Sequence, residues 1–489
     1  MKKKRVRPQT LKGFQDNLPE EMIARQGVID AIRGVYERFG FVPIDTPILE
    51  HFATLTGSAG AEVNKEIFTL ETPEGEVAAM RFDLTVPFAR VVSQYREQIK
   101  LPFRRYHIGP VFRADKPGPG RFRQFTQLDI DVAGARSLAA DAEIIAVLCG
   151  GMRAAGMTDN DVPLFRIRIS NRRLVDALLT GNDITEPERI KHTLRVIDKL
   201  QKVGIENVKM ELASGRIDAS GDPIPGVHLP DSVITAIAEF IAITGVDRLE
   251  VVKLLMEKLP ASENTEEALA DMRELAALLD ALGISEAEAV FDPSLTRGLD
   301  YYTGPVFEVE VVGMKALGSL GGGGRYNELC NRFMGQQVPA VGASIGLERL
   351  MAALRGLEKI KFPRSTVKVC IATVGKVAAR DVLKLAAELR GAGLNTLTYL
   401  GGKKNMAAQL SDADRYEVPV AVILGEEELQ RGEVAVKDLI AGKRSRENID
   451  DHDAYREAGR NAQVTVKRED MIGIVKSLLN NEPVPAQSE

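Results

Sequence analysis

Cysteine is scarce in this chain, and its distribution excludes two common ways of stabilising a fold. Three cysteines occur in 489 residues, at positions 149, 330 and 370, without a CxxC pair or a neighbouring histidine cluster. Neither a disulfide framework nor a structural zinc site is therefore expected. No apolar run reaches the roughly 18 residues of a membrane span, and no apolar segment follows the basic opening MKKKRVRPQ. We expect a cytoplasmic protein with no membrane partner.

Two further absences concern phosphate and nucleic-acid binding. The chain contains neither GxxxxGK[ST] nor a strand-coupled GxGxxG, so the common phosphate-binding loops built from backbone amides are excluded. The formal net charge of −5 provides no overall positive field that would attract a polyanion. Any phosphate or nucleic-acid ligand must therefore be bound by local groups of arginine and lysine.

The first part of the chain predicts a helix, an edge strand and a hairpin. EEMIARQGVIDAIRGVYERFG has apolar residues at helical spacing and ends on Gly40, a suitable C-cap. FVPIDTPILE carries Pro43 and Pro47 in an extended apolar pattern, which indicates an edge or interface strand. Residues 104–112 and 121–132 are strand-like and are joined by KPGPG, which predicts a long antiparallel hairpin.

Composition divides the rest of the chain. Leucine-, alanine- and glutamate-rich segments of helical period predict a helical insertion, whereas PVFEVEVVG is strand-like and GGGG alone is typical of a flexible turn. Beyond Pro363, alternating strands and helices predict a small α/β domain. The expected bounds are 1–170 with 290–360 for the first domain, 171–289 for the insertion, 365–482 for the C-terminal domain and 483–489 for a flexible tail.

The stretch VFRADKPGPGRFRQFTQLDID places arginines close to carboxylates. If its second half is extended, alternate residues share one face of the strand, namely Arg121, Arg123, Phe125, Gln127, Asp129 and Asp131, with Phe122, Leu128 and Ile130 on the other. Charged strand faces are usually only solvent-exposed. Here an aromatic platform lies among forked phosphate donors, which suits a ligand with a phosphate end and an amine end.

The stretch RGLDYYTGPVFE places polar residues directly before a predicted strand. These are Arg297, Asp300, Tyr301 and Tyr302, although a tyrosine pair beside a strand more often packs in a core. The five histidines match no metal-ligand spacing, so neither a structural metal nor a catalytic histidine is expected.

Several of these stretches resemble the histidyl-tRNA synthetases, which are class II aminoacyl-tRNA synthetases, and the resemblance covers nearly the whole chain. FGFVPIDTPILE resembles the first class motif, VFRADKPGPGRFRQFTQLDID the second, and AVGASIGLERL the third, which ends in Arg349. RFDLTVPFAR resembles the amino-acid loop, and RGLDYYTG and GGGGRY resemble stretches peculiar to histidine-specific members. The resemblance implies an α/β (α+β) protein: an antiparallel-sheet catalytic domain with a helical insertion, and a small C-terminal α/β anticodon-binding domain.

The resemblance also implies a reaction and roles for individual residues. The enzyme would activate L-histidine with ATP to histidyl-adenylate and transfer the histidyl group to tRNA(His), with Arg113 and Arg297 as catalytic residues. The implied histidine-binding residues are Asp83, Leu84, Thr85, Arg113, Gln127, Asp131, Arg297, Tyr301 and Tyr302. The implied ATP-binding residues are Arg113, Arg121, Phe125 and Arg349.

Further implied partners are Mg²⁺ accompanying ATP, a second copy of the chain joined through FGFVPIDTPILE, and the acceptor end of tRNA. The residues implied to meet that acceptor end lie in the Pro/Gly loop and are Lys116, Gly118 and Arg123. Glutamates near the site are candidate Mg²⁺ ligands, and no individual residue is assigned to the metal.

Two alternatives share parts of this pattern. The regulatory subunit of ATP phosphoribosyltransferase has the same catalytic fold and binds histidine, but it lacks the anticodon-binding domain that VKVCIATVG and the following segments resemble. Class II synthetases for proline, threonine or glycine have a related C-terminal domain. Against these, Asp131 with Tyr301 and Tyr302 favours histidine as the substrate.

Overall fold

The computed structural model describes residues 6–56, 67–218, 221–245, 247–296, 302–401, 405–444 and 462–480. They fall into two compact units, one within Met1–Asp16 and Arg25–Ile360, the other within Asn17–Ala24 and Lys361–Glu489. Within the described ranges, none of the helices is long and apolar enough to span a membrane. The expected tail at 483–489 and most of the polar segment around 442–462 lie outside the described residues.

The described strands of the first unit form one large sheet and three small ones. Its strands are β1 (Val42–Pro43), β2 (Leu49–His51), β3 (Thr69–Glu71), β4 (Val77–Met80), β5 (Phe103–Phe112), β6 (Gln124–Ala133), β7 (Thr158–Asp159), β8 (Val162–Pro163), β9 (Phe165–Asn171), β10 (Gly215–Ile217), β11 (Pro223–Pro225), β12 (Ala289–Phe291), β13 (Pro305–Val311), β14 (Gly321–Tyr326) and β15 (Ala340–Gly346). The principal sheet has eight strands in the order β1-β5-β6-β15-β14-β13-β9-β12, and its middle strands are antiparallel.

Helices flank this sheet and fill the interval between β9 and β12. They are α1 (Pro19–Arg38), α2 (Phe52–Thr56), α3 (Thr85–Gln94), α4 (Ala139–Ala154), α5 (Arg172–Thr180), α6 (Pro187–Ile197), α7 (Leu200–Val203), α8 (Ile205–Leu212), α9 (Asp231–Ile241), α10 (Arg248–Lys258), α11 (Glu263–Ala281), α12 (Asn331–Met334) and α13 (Leu347–Gly356). Helices α5 to α11 occupy the stretch whose composition predicts a helical insertion, and a short hairpin of β10 and β11 interrupts them.

The predicted hairpin and edge strand are both present. Strands β5 and β6 pair antiparallel over their full length, from Phe103 opposite Ala133 to Phe112 opposite Gln124. Strand β1 pairs with β5 at the margin of the sheet and leaves Val42 46% exposed. Pro43 is tolerated there because an edge strand needs fewer backbone N–H donors than a central one.

The glycine run is a central strand, which corrects the expectation of a flexible turn. Strand β14 lies between β13 and β15, so residues 321–324 have neighbours on both sides. A Cβ at Gly322 would lie 2.8 Å from the Phe307 carbonyl oxygen, and one at Gly324 would lie 2.7 Å from that of Pro305. Glycine is required here because neighbouring backbone and side chains occupy the space that a methyl group would need.

The second unit is a small α/β domain, as the sequence predicts. Its strands are β16 (Val369–Val374), β17 (Thr396–Thr398), β18 (Val420–Gly425), β19 (Glu433–Asp438) and β20 (Gln463–Lys467), and its helices beyond residue 361 are α14 (Ala379–Gly391), α15 (Met406–Arg415), α16 (Glu426–Arg431), α17 (Leu439–Arg444) and α18 (Met471–Leu479). The sheet order is β17-β16-β18-β19-β20, and β16 is parallel to both of its neighbours. Helices α14 and α18 pack their apolar residues into the core of this unit.

Candidate active site

A cavity of about 460 Å³ lies in the first unit, over the middle strands of the principal sheet. It brings together most of the residues that the sequence predicts for one ligand site: Asp83, Thr85, Arg113, Arg121, Phe125, Gln127, Asp131, Tyr302 and Arg349. Part of the cavity wall is backbone without side chains, from residues 321–323 of β14 and from Gly342 of β15. Because the glycines of β14 carry no side chains, this strand leaves space in the cavity for a ligand.

The other predicted residues that the structure describes do not line the cavity. Leu84 is fully buried at the start of α3, and its carbonyl oxygen accepts a hydrogen bond of 3.0 Å from Arg105. Lys116, Gly118 and Arg123 are not among the cavity residues. Arg297 and Tyr301 lie outside the described residues.

Three arginines and an aromatic ring form the positively charged half of the cavity. Arg113 Nε donates to the Phe82 carbonyl oxygen at 2.9 Å, and its guanidinium lies 5.2 Å from the centre of the Phe125 ring. Arg121 pairs with Asp115 at 2.8 Å and remains about half exposed. Arg349 at the start of α13 donates to the Ser319 carbonyl oxygen at 2.8 Å. These contacts orient positive charge toward one cavity, where a polyphosphate would be complementary.

The predicted strand face needs a correction at its first residues. Strand β6 begins at Gln124, so Arg121 and Arg123 belong to the preceding loop, and Phe122 lines the cavity instead of facing away from it. Arg123 Nε donates to the Asp115 carbonyl oxygen at 3.2 Å, and Nη1 donates to that of Lys12 at 3.4 Å. Arg123 thus connects the loop to the N-terminal segment.

Buried carboxylates form the other half of the site. Asp131 is 1% exposed, forms an ion pair with Arg105 and accepts a hydrogen bond from the Tyr326 hydroxyl. Burial raises the pKa of Asp131 to about 6, while Arg105 and Tyr326 limit the rise. Asp83 accepts the Val86 amide at 3.1 Å in the first turn of α3, and burial also raises the pKa of its carboxyl group.

Sequence reasoning missed several side chains that hold these groups in place. Arg105 lies opposite Asp131 in the β5–β6 hairpin, and it could have been found by setting the two predicted strands in register. Tyr326 follows the glycine run, one residue beyond Arg325. Glu348 precedes Arg349; its Oε2 accepts the Thr126 amide at 2.9 Å, and its Oε1 pairs with Arg25 at 2.8 Å.

Metal binding by the protein itself finds no support in these side chains. Among the residues that the structure describes, no group of three histidine, cysteine, aspartate or glutamate side chains could hold a metal ion. Glu348, the glutamate that lines the cavity, already uses one oxygen for Arg25 and the other for Thr126. The described side chains alone therefore form no metal-ligand set, and Mg²⁺ is usually held by one or two carboxylates together with substrate phosphates.

Comparison with known proteins identifies the family of both units. The model of the family "Histidyl-tRNA synthetase" matches residues 13–350, and that of "Anticodon binding domain" matches residues 368–478. The histidine–tRNA ligase of Paracoccus denitrificans is 39% identical over 98% of this chain and 99% of its own length. That of Brucella ovis is 37% identical over 96% of this chain and 95% of its own length.

Solved structures agree with these matches. The histidyl-tRNA synthetase from Nostoc sp. PCC 7120 is 30% identical, has a TM-score of 0.79 and covers 96% of this chain and 99% of its own. A protein from Bacillus halodurans described as an ATP phosphoribosyltransferase regulatory subunit/histidyl-tRNA synthetase is 24% identical, has a TM-score of 0.69, and covers 86% of this chain and 99% of its own. At that identity the likeness shows the fold alone. The chain belongs to the histidyl-tRNA synthetase family.

Proposed function

We propose that this chain is a histidine–tRNA ligase that forms histidyl-adenylate from L-histidine and ATP and then transfers the histidyl group to tRNA(His). The main support is that a single cavity presents arginines beside an aromatic ring and also buried carboxylates. The interval from Phe125 to Asp131 along β6 spans roughly 20 Å at the rise of an antiparallel strand. That length suits a ligand with a nucleotide at one end and an amino acid at the other.

The first step needs charge stabilisation more than it needs a protein nucleophile. A carboxylate oxygen of histidine attacks the α-phosphorus of ATP in line, a new oxygen–phosphorus bond forms, and the bond to pyrophosphate breaks. Negative charge is spread over the phosphoryl oxygens, where Arg113 stabilises it. Arg297 is assigned the same task by family resemblance. No general base is assigned, because a carboxylate needs no proton removed before it attacks.

The two ends of the substrate pair are assigned to different side chains. Asp83, Thr85 and Gln127 hold the α-ammonium group of histidine, and Asp131 accepts a hydrogen bond from the imidazole, enclosed by Tyr302 and by Tyr301. An ionised carboxylate has about four lone-pair sites, so Asp131 can accept from imidazole in addition to Tyr326 and Arg105. Arg121 binds the outer phosphates, and Phe125 and Arg349 enclose the adenine. Mg²⁺ enters as part of the substrate, the magnesium complex of ATP.

The proposal assigns these steps to the expected domains and to the cytoplasm, where translation takes place. Residues 1–170 and 290–360 form the catalytic domain, 171–289 the helical insertion, and 365–482 the anticodon-binding domain. The test is ATP-dependent charging of a tRNA(His) transcript with radiolabelled histidine. The second candidate is a histidine-binding regulatory subunit, which would bind histidine but charge no tRNA. Histidine binding without charging would therefore favour this second candidate over the ligase.

The loop between β5 and β6 predicts how the acceptor end of tRNA is read. Family resemblance places Lys116, Gly118 and Arg123 near the 5′ end of tRNA(His), where bacterial relatives use an arginine and a glutamine to read an extra guanylate. Gly118 has no side chain for a base contact, and a lost contact of this kind removes about 1–3 kcal/mol of discrimination. Lys116 attracts phosphate without reading sequence. We expect the specificity constant for charging to fall less than tenfold when that guanylate is removed.

A matched variant sharpens this test. Among the described residues, no atom lies within 4 Å of the position that a Cβ at Gly118 would take, so a longer side chain fits there. Lys116→Arg combined with Gly118→Gln is expected to increase dependence on the guanylate, with both tRNAs assayed at one salt concentration. A hundredfold loss in the unmodified protein would mean that Arg123 or the loop backbone reads the nucleotide.

A homodimer through residues 39–50 is also part of the proposal. Strand β1 of this segment is an edge strand of the principal sheet, and β2, which begins at Leu49, is an edge strand of a separate three-stranded sheet. Val42, Ile48 and Leu49 are 46, 40 and 44% exposed. Neighbouring exposed apolar residues on an edge strand favour pairing with another chain. Light scattering at micromolar concentration should give twice the chain mass, and Leu49→Asp should shift it toward the monomer. A monomer mass for the unmodified protein would refute the dimer.

A further inference from the structure

The Gln127 side chain has a defined donor contact and an unpaired acceptor. It is 7% exposed and lines the cavity. Its Nε2 donates to Ser344 Oγ at 2.7 Å, whereas Oε1 is buried with no hydrogen-bond partner among the described residues. A buried carbonyl oxygen without a partner is costly, so Oε1 is the atom of this side chain that awaits a donor from a ligand.

Asp129 is a second neighbour of Ser344, besides Gln127. It is 1% exposed and directly opposite Ser344 in the antiparallel pairing of β6 with β15, so the two side chains lie side by side on one face of the sheet, and the Ser344 hydroxyl lowers the pKa of the Asp129 carboxyl group. An ionised carboxylate only accepts hydrogen bonds, and a serine hydroxyl has a single proton to donate. Ser344 must therefore give its proton to Asp129 and offer its lone pairs to Gln127. The amide of Gln127 then turns its nitrogen to Ser344, which leaves Oε1 for the cavity.

We propose that Asp129 and Ser344 are positioning residues that fix the amide of Gln127 so that its Oε1 accepts a hydrogen bond from the α-ammonium group of histidine. The inference rests on the proposed function and adds to it the origin of the amide orientation. Without the Asp129 carboxylate, the Ser344 hydroxyl can donate its proton to Gln127 instead. The Gln127 amide can then turn its nitrogen toward the α-ammonium group of histidine. A hydrogen-bond donor facing an ammonium group repels it, so histidine binding weakens.

Protonation of Asp129 should weaken histidine binding in the same way as replacement of Asp129 by an uncharged residue. Burial raises the pKa of Asp129 to about 7; Arg105 opposes the rise and Asp131 adds to it. A protonated carboxyl group can donate to Ser344 and so no longer dictates the direction of the hydroxyl. The charged or titratable groups that face Asp129 from the surrounding elements are Arg105 and His107 of β5, Asp131 of β6, Arg81 and Asp83 of the segment before α3, and Tyr36 of α1.

The test compares histidine with imidazolepropionate, an analogue that lacks the α-amino group. Asp129→Asn and Ser344→Ala are expected to raise the KM for histidine in ATP–pyrophosphate exchange by roughly tenfold or more. The inhibition constant of imidazolepropionate and the KM for ATP should stay within about twofold, because neither ligand uses this contact. A parallel rise for histidine and for the analogue would overturn the proposal, because it would indicate general damage to the pocket. No rise for either ligand would also overturn it.

Two further readouts separate positioning from a merely structural effect. The ratio of the histidine KM of Asp129→Asn to that of the unmodified protein should fall toward one between pH 8 and pH 6, since the native carboxyl group takes up its proton there. Protonation of the substrate histidine changes the KM of both proteins by the same factor, so it does not affect this ratio. Asp129→Asn should also add little to Gln127→Ala in a double variant, whereas additive effects would contradict the proposal. Absence of histidine-dependent exchange in the unmodified protein would instead refute the proposed function.

Discussion

Replacing Arg113 with alanine is expected to lower the rate of histidine-dependent ATP–pyrophosphate exchange by about 10³-fold. Removing one preorganised donor from developing charge costs about 10² to 10³ in rate, and removing a transition-state arginine costs about 10³ to 10⁵. Both estimates apply if Arg113 stabilises the phosphoryl charge as proposed, and its guanidinium is already oriented within the cavity by the Phe82 carbonyl oxygen and the Phe125 ring. The loss should appear mainly in kcat, since the charge it opposes arises in the transition state.

The control for this variant is another arginine of the same unit. Arg96 has a side chain that is 62% exposed and pairs only weakly with exposed Glu97, so Arg96→Ala should leave exchange unchanged within about twofold. Circular dichroism should show that both variants fold. If Arg113→Ala loses less than tenfold in rate, Arg113 has no direct part in the chemistry and serves only to pack the loop.

Asp131→Ala is expected to have two separable effects. Loss of a charged hydrogen-bond acceptor for the imidazole should raise the KM for histidine by about 10- to 100-fold. Arg105, which is fully buried, would also lose its ion-pair partner and keep only neutral contacts such as the Leu84 carbonyl oxygen, and breaking a buried ion pair by removing one side costs about 3–5 kcal/mol of stability. Steady-state kinetics measures the first effect, and urea unfolding measures the second.

Asp131→Asn separates the two effects, because it keeps the shape of the side chain and a hydrogen-bonding oxygen while removing the charge. It should lose less stability than the alanine variant and still bind histidine more weakly than the unmodified protein. An unchanged KM for histidine in both variants would remove Asp131 from the amino-acid pocket, whatever the unfolding data show.

The period of two along β6 predicts which of its residues face the cavity. Phe125, Gln127 and Asp131 all line the cavity, as the alternation of an extended strand predicts. The same alternation failed at Arg123, because its backbone amide donates to Gly13 at 2.8 Å and its side chain reaches Lys12. A contact with a segment more than a hundred residues away leaves no trace in a local pattern.

The glycine run shows a second limit of sequence reasoning. Composition indicates chain flexibility, but the requirement for glycine in β14 comes from neighbours on two other strands. The same holds for Gly342, where a Cβ would overlap the Asp131 carboxylate. Arg105 and Ser344 were missed for a related reason. Their significance depends on which residue stands opposite in the sheet, and the register is a property of the assembled sheet.

Amino-acid selectivity shows whether the pocket is built for histidine. The purified protein should be assayed for ATP–pyrophosphate exchange with each amino acid in turn, with proline, threonine and glycine as the substrates of related enzymes. A pocket built to hydrogen-bond its substrate rejects analogues without the matching groups by about 10⁴ or more. We expect exchange with histidine and none above background with the other three. Exchange driven by proline or threonine at a rate comparable to that with histidine would contradict this expectation.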